Sequence, residues 1–415
     1  MVTIYFVSLF ISPQLWIEPF VGIRLDIYIY PIWFIYLIVI GKGGEILKFK
    51  VQDKMLVAFM VWLYITIILN DKNEFTQLMV VNYTKYFLIY RLISVTIDTS
   101  EAFKSTINRL ILIVFIIVIE AIQHKYSSDG IGWAGQSLGW VDQSVLDAGG
   151  TGRTRWVNIF DGPGVFCVMF TLILPFVLEK LDSYFSFKTR LFYFILLLAL
   201  LFAIWTTGSR GGFLATLVIF GAYGLSRMNI SIGRMIKVGS VLGMVFMVAP
   251  SYLTSVKDEN KSAQNRVDMW MEGVEMVQQN PILGIGRGNF ASYTGSLIAH
   301  NSSIEIMGEM GFIGFYLWLS FIYLSIKTVM HVMVLDNRQE FKSYYRGLII
   351  CVIGYIANSM FVTLEYETFY FILALTRSLN RGDSDEITFD ATDIKRVFYI
   401  AIGFIIFLKL FFLIY

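Results

Sequence analysis

The sequence predicts an all-α polytopic membrane protein of about 12–13 transmembrane helices. Three observations carry that prediction. Of the 415 residues, 56% are hydrophobic and only 15% are charged, with a mean hydropathy of +0.66; a soluble chain carries about a quarter charged residues. Apolar runs near the roughly 20 residues needed to cross about 30 Å of hydrocarbon recur along the whole length. Lys and Arg also fall unevenly between alternate connections, as membrane topology requires.

In order, the apolar runs predict spans at 3–17, 25–40, 55–70, 77–97, 107–123, 163–179, 191–206, 211–226, 235–250, 311–327, 346–362, 364–378 and 397–414. The first and twelfth are short, hence twelve or thirteen. The opening stretch "MVTIYFVSLFISPQLW" has no basic leader region and no small-residue cleavage site, so it reads as a retained first helix. Six connections (41–54, 98–109, 180–190, 227–237, 327–346 and 377–396) hold 20 Lys and Arg in 88 residues, whereas the two long loops, 124–162 and 251–310, hold 7 in 99. Basic connections face the cytoplasm, so both long loops face outward. The turn "WTTGSRGG" (205–212) falls at the outer end of two adjacent spans, which predicts Arg210, Arg266 and His300 on one membrane face. Residues 379–396 read as a solvated cytoplasmic linker. No internal repeat and no soluble domain is evident, so 1–415 reads as one integral-membrane domain.

Composition excludes several classes. A net charge of +2, with no basic patch interleaved with aromatics, argues against nucleic acid as a partner. Cys167 and Cys351 each lie within an apolar run, so neither a disulfide framework nor a cysteine metal cluster is predicted. The outer loops contain only two histidines, His124 and His300, which makes a zinc site improbable. His331 falls in a cytoplasmic connection and reads as a surface residue. No cofactor is implied.

The outer loops concentrate the polar chemistry. In "QNRVDMWMEGVEMVQQNP" (264–281), Val267, Trp270, Met271, Val274 and Val277 recur every three or four residues and predict an amphipathic helix along the outer interface. Asn265 reads as its N-cap with Asp268 at the third helical position, and Asn280-Pro281 ends it. Arg266 stands one turn before Trp270 on the same face, as a snorkelling residue or a ligand contact. "GIGRGNF" (284–290) is not a nucleotide loop, because no strand precedes it and Asn-Pro does. Its glycines predict tight turns, and Arg287 can contribute charge.

In "AHNSSIEIMGEMGFIG" (299–314), Ser302 and Glu305 make a capping-box pattern that puts His300 just ahead of a helix N-terminus. The positive end of the helix dipole disfavours an imidazolium there and predicts a neutral ring able to accept a proton. Glu305 then reads as a cap and Glu309 as a solvated interfacial group. The small residues around Arg210 leave room for a ligand, and a guanidinium fork suits a pair of phosphate oxygens. In "GGTGRTRWVNIFDGPGVF" (149–166), Arg153, Arg155, Trp156 and Asp161 either line a polar site or belong to an ordinary structured loop.

Taken in order, "TTGSRGG", "NRVDMWMEGVEMVQQNPILGIGRGNF" and "AHNSSIEIMGEMGFIGF" resemble the signature of the O-antigen ligase and Wzy-polymerase superfamily, over residues 206–314. The resemblance implies a C-type glycosyltransferase-like membrane fold whose outer loop carries short amphipathic helices. It implies chemistry at the periplasmic or outer face of a bacterial cytoplasmic membrane, without a metal. The donor would be a glycan on polyprenyl (undecaprenyl) diphosphate, and the acceptor a glycan, lipid or protein hydroxyl. Carried over by motif, Arg210 and Arg266 would bind the diphosphate, and His300 would act on the acceptor hydroxyl with inversion at the anomeric carbon. Trp270, Asn301, Arg287, Arg153 and Arg155 are the further substrate-binding candidates. The family's first outer loop ends in an Asp-Pro-Asn-like turn, where this chain has "FDGPG", so no role carries over to Asp161. Ligase is the favoured reading and polymerase the alternative. A transporter would place its ionisable groups near the bilayer midplane and often carries repeats, and neither is seen.

Overall fold

The computed structural model describes residues 1–415 apart from 24, 140–151, 183–185, 229–259, 296, 382–386 and 415, and apart from the side chains of 26, 260–265 and 412–414. The expected span 235–250 lies outside the described residues, as do parts of both long loops and of the 379–396 linker. The chain is an all-α polytopic membrane protein. Among the described residues, five helices are long and apolar enough to cross a bilayer: Val51–Leu69, Ser100–Lys125, Pro163–Leu181, Phe187–Thr206 and Ser302–Leu335. The chain divides into two compact units, Met1–Glu45 with Leu92–Met235 and Met333–Asn358, and Ile46–Arg91 with Ile236–Val332 and Ser359–Tyr415.

The first unit contains α1 (Val2–Phe6, continued by a π turn over Val7–Ile11), α2 (Leu25–Val39) and the end of α4 (Glu74–Thr96). It continues with α5 (Ser100–Lys125), α6 (Pro163–Leu181), α7 (Phe187–Thr206), α8 (Arg210–Arg227) and most of α12 (Gln339–Ser359). Helix α6 is apolar all round, and every residue from Phe166 to Lys180 is buried, which makes it the core helix of this unit. It packs against α5, α7 and α8. Helix α7 buries only the stripe Leu196, Leu200, Ala203, Ile204 and Thr206. Phe187, Phe192, Phe194, Ile195 and Leu198 remain exposed, an apolar face that suits lipid rather than water. The first expected span is shorter than its apolar run: the helix ends where Ser12 turns left-handed (φ 53°), before Pro13.

The second unit contains α3 (Val51–Leu69), most of α4, α9 (Asn260–Gln279), α10 (Phe290–Tyr293), nearly all of α11 (Ser302–Leu335), α13 (Glu367–Arg377) and α14 (Ala391–Ile414). The run expected as a span at 364–378 is instead α13, whose eleven residues reach only about 16 Å. Every residue from Thr368 to Arg377 is buried, so the apolar character serves packing. The amphipathic helix expected within 264–281 is present as α9 and stops at Asn280-Pro281 as anticipated, but it begins at Asn260, so Asn265 lies inside the helix and is not its N-cap.

Helix α11 breaks at Gly311 (φ 65°, ψ −168°). Into the break runs the strap Pro281–Gly286. Phe312 N–H donates to Pro281 O at 2.8 Å, Ile285 N–H to Gly308 O at 3.1 Å and Gly286 N–H to Glu309 O at 2.8 Å. The strap therefore satisfies backbone groups that the break leaves open. A Cβ at Gly311 would lie 2.1 Å from Ile282 O. Gly311→Ala is accordingly expected to cost about 3 kcal/mol, combining backbone strain with a clash against main chain that cannot swing away. Thermal unfolding in detergent checks this, with Gly221→Ala as a control, since its Cβ would meet nothing within 4 Å.

Candidate functional site

In the first unit the site residues gather at the turn between α7 and α8. Thr154 fastens the segment before α6 to the end of α7, its N–H donating to Thr206 O at 3.1 Å and its hydroxyl lying 2.9 Å from that of Thr206. Ser209 caps α8 by accepting from Gly212 N–H at 3.1 Å. Gly212 has no room for a side chain, because a Cβ would sit 2.1 Å from Cys167 Sγ on α6. These contacts fix the frame from which Arg210, the first residue of α8, projects as an exposed side chain.

The neighbouring turn brings Arg153 alongside. A Cβ on Gly208 (φ 57°) would lie 3.2 Å from both Arg153 Cγ and Nε, so the arginine side chain lies across the glycine. Arg210 is held below the usual arginine range, by desolvation first and by the Arg153 charge second. Two cations close enough to oppose one another favour an anion between them. Arg155 is used differently. Its guanidinium donates to Ser137 O at 2.8 Å and Ser137 Oγ at 3.0 Å and pairs with Asp161 at 2.9 Å. Asp161 thus anchors Arg155, and Trp156, fully buried, donates to Phe10 O at 2.7 Å.

In the second unit α9 and the start of α11 cross closely. A Cβ on Gly273 would meet Ile304 Cγ2 at 2.4 Å. The crossing brings the N-terminal half of α9 to the turn carrying His300. Trp270 is buried, and its indole N–H donates to Ala299 O at 2.9 Å. Trp270 also packs against Phe411, with centroids 6.1 Å apart. The motif tryptophan therefore supports the turn rather than facing lipid. Arg266, half-buried, lies close enough to act on the imidazole of His300. His300 keeps an exposed surface, but desolvation, and then the Arg266 charge, push its pKa down to about 4. A neutral ring is as expected, with desolvation and a like charge as its causes.

The helix cap sits one residue earlier than the Ser302–Glu305 pattern suggests. Asn301 Oδ1 accepts from Ser303 N–H at 3.0 Å and Ile304 N–H at 3.2 Å. Ser302 is released to accept Leu364 N–H at 2.9 Å. Glu305 and Glu309, expected as a cap and a solvated group, are both buried. Glu305 accepts from Ala299 N–H at 3.1 Å and from the Thr363 hydroxyl. Glu309 accepts from Phe290 N–H at 2.7 Å and pairs with Arg287. Arg287 is 5% exposed, lies 3.5 Å from Glu365 and donates to Tyr83 Oη at 2.9 Å. Its surroundings are those of a buried ion cluster, not of an open ligand site.

A family model described as O-antigen ligase matches residues 194–319, from within α7 to within α11. The matched domain is similar to the O-antigen ligase family. This domain contains Arg210, Arg266, Trp270, Arg287, His300 and Asn301, whereas Arg153 and Arg155 precede it. Comparison with curated proteins gives no match. Sequence reasoning missed Thr363 and Tyr83, which lie far along the chain from the residues they hold; only the presence of polar groups inside apolar runs hinted at either.

Proposed function

We propose that the protein transfers a glycan from a polyprenyl diphosphate carrier to an acceptor hydroxyl at the outer face of a bacterial cytoplasmic membrane, as a ligase. The observation that supports this reading is that the Arg266 charge on α9 acts on a neutral His300 before α11, both within the residues that the O-antigen ligase model matches. The acceptor oxygen attacks the anomeric carbon while the bond from that carbon to the diphosphate oxygen breaks. In-line attack inverts the centre, and the carrier leaves as polyprenyl diphosphate. Arg266 stabilises the charge that grows on the leaving diphosphate, and Arg210 with Arg153 is assigned the same chemistry. His300 Nδ1 or Nε2 takes the hydroxyl proton. Guanidinium groups supply the charge stabilisation that a divalent metal supplies elsewhere, so transfer should survive a chelator.

Glycans from a deletion strain test the type of transfer. Long undecorated chains left on the carrier support ligase, single repeat units assign the polymerase reaction, and an unaltered glycan profile contradicts both. Arg210→Ala is expected to lower the transfer rate by about 10²–10³, the cost of removing one preorganised donor to developing charge. Arg210→Lys should recover part of it, because an ammonium keeps the charge without the two-toothed fork. Initial rates with saturating lipid-linked glycan check both.

A further inference from the structure

His300 is a non-glycine residue in the left-handed region, with φ 51°. Such a backbone persists only where its surroundings hold it. Here the preceding residue is gripped on both sides: Ala299 N–H donates to Glu305 Oε1 at 3.1 Å, and Ala299 O accepts from Trp270 Nε1 at 2.9 Å. Ala299 itself is fully buried. On the following side Asn301 caps α11. The same Glu305 oxygen that holds Ala299 accepts the hydroxyl of Thr363, and the next residue, Leu364, donates its N–H to Ser302 Oγ at 2.9 Å. Two adjacent residues of the connection between α12 and α13 are thereby fastened onto the turn from outside it. A carboxylate buried at 4% exposure is costly, and its placement is explained by these two donors.

We propose that Glu305 is the positioning residue of His300 and that Thr363 completes its latch, fixing the left-handed turn that aims the imidazole. Glu305 is buried and acts through the Ala299 N–H that it holds. The aim of the ring matters for transfer only on the function proposed above, whereas the latch itself stands on the hydrogen bonds alone.

The test has two arms on the purified, full-length protein. In the first, mass spectrometry follows carbethoxylation of His300 by diethyl pyrocarbonate. Thr363→Val, close in volume but lacking the hydroxyl, is expected to raise the rate about threefold or more, with Thr363→Ser returning it to the wild-type value. In the second, Thr363→Val lowers kcat for glycan transfer roughly tenfold while the donor KM stays within about twofold. In a His300→Ala background the same substitution should cost nothing further, because a residue that acts through His300 has nothing left to position. Glu305→Gln keeps an acceptor oxygen for both donors and should fall between wild type and Thr363→Val. The proposal is overturned by an unchanged carbethoxylation rate in folded Thr363→Val, or by losses that multiply in the His300→Ala background. If the wild-type protein transfers no glycan, the transferase reading fails, while the carbethoxylation arm still decides the latch.

Discussion

His300→Ala is expected to reduce glycan transfer by about 10²–10⁴ while leaving the protein folded, because a positioned general base contributes on that order. The side chain keeps an exposed surface, so stability should change by no more than about 1 kcal/mol. The pH dependence follows from the same group. Its pKa is lowered to about 4, so the imidazole is already in its accepting form at pH 7 and remains so on acidification to about pH 5. Protonation, and with it loss of transfer, sets in only as the pH approaches 4. An ordinary histidine, titrating near 6.5, would lose half its competent form a little below neutrality. A bound diphosphate would offset the Arg266 charge and raise the pKa, strengthening the base where the donor is present. Rates of transfer against pH, at saturating donor and across wild type and His300→Ala, check the size of the loss and its position.

Arg287→Ala is expected to cost about 3–5 kcal/mol of stability, the largest structural effect of any single site residue considered. The guanidinium is buried against Glu309, Glu365 and Tyr83, and its removal leaves two carboxylates in a poorly solvated site with no cation. Arg287→Lys should be only partly restored, since one ammonium cannot reproduce contacts made by three different guanidinium nitrogens. Combining Arg287→Met with Glu309→Gln and Glu365→Gln should recover much of the loss, because no buried charge is then left unpaired. Thermal unfolding and the yield of monodisperse protein check these outcomes. A substrate-binding arginine would instead raise the donor KM and leave the unfolding midpoint in place.

Much of this architecture was legible from local pattern. Long apolar runs became helices, and Asn280-Pro281 stopped α9. Non-local contacts set what the pattern did not reveal. The run 364–378 is apolar enough for a span, yet α13 is apolar because it is buried. Gly308, Gly311 and Gly314 all permit a break, and what singles out Gly311 is the strap at Pro281–Gly286, about thirty residues earlier, that bonds to the main chain on either side of it. Arg287 read as a loop charge because two of its partners, Tyr83 and Glu365, lie 204 and 78 residues away. The cap slipped from Ser302 to Asn301 because Leu364, 62 residues on, claims the serine hydroxyl. Ser302 and Asn301 are both good N-caps in isolation, so local chemistry had no means of choosing.

Reconstitution tests the central claim most directly. Purified protein in lipid, given a polyprenyl-diphosphate-linked oligosaccharide and an acceptor extract in excess chelator, should release polyprenyl diphosphate and form an acceptor-linked glycan. Both products should depend on Arg266 and His300. Stoichiometric release that persists in Arg266→Ala and His300→Ala, or intact donor recovered from folded wild-type protein supplied with acceptor, would contradict it.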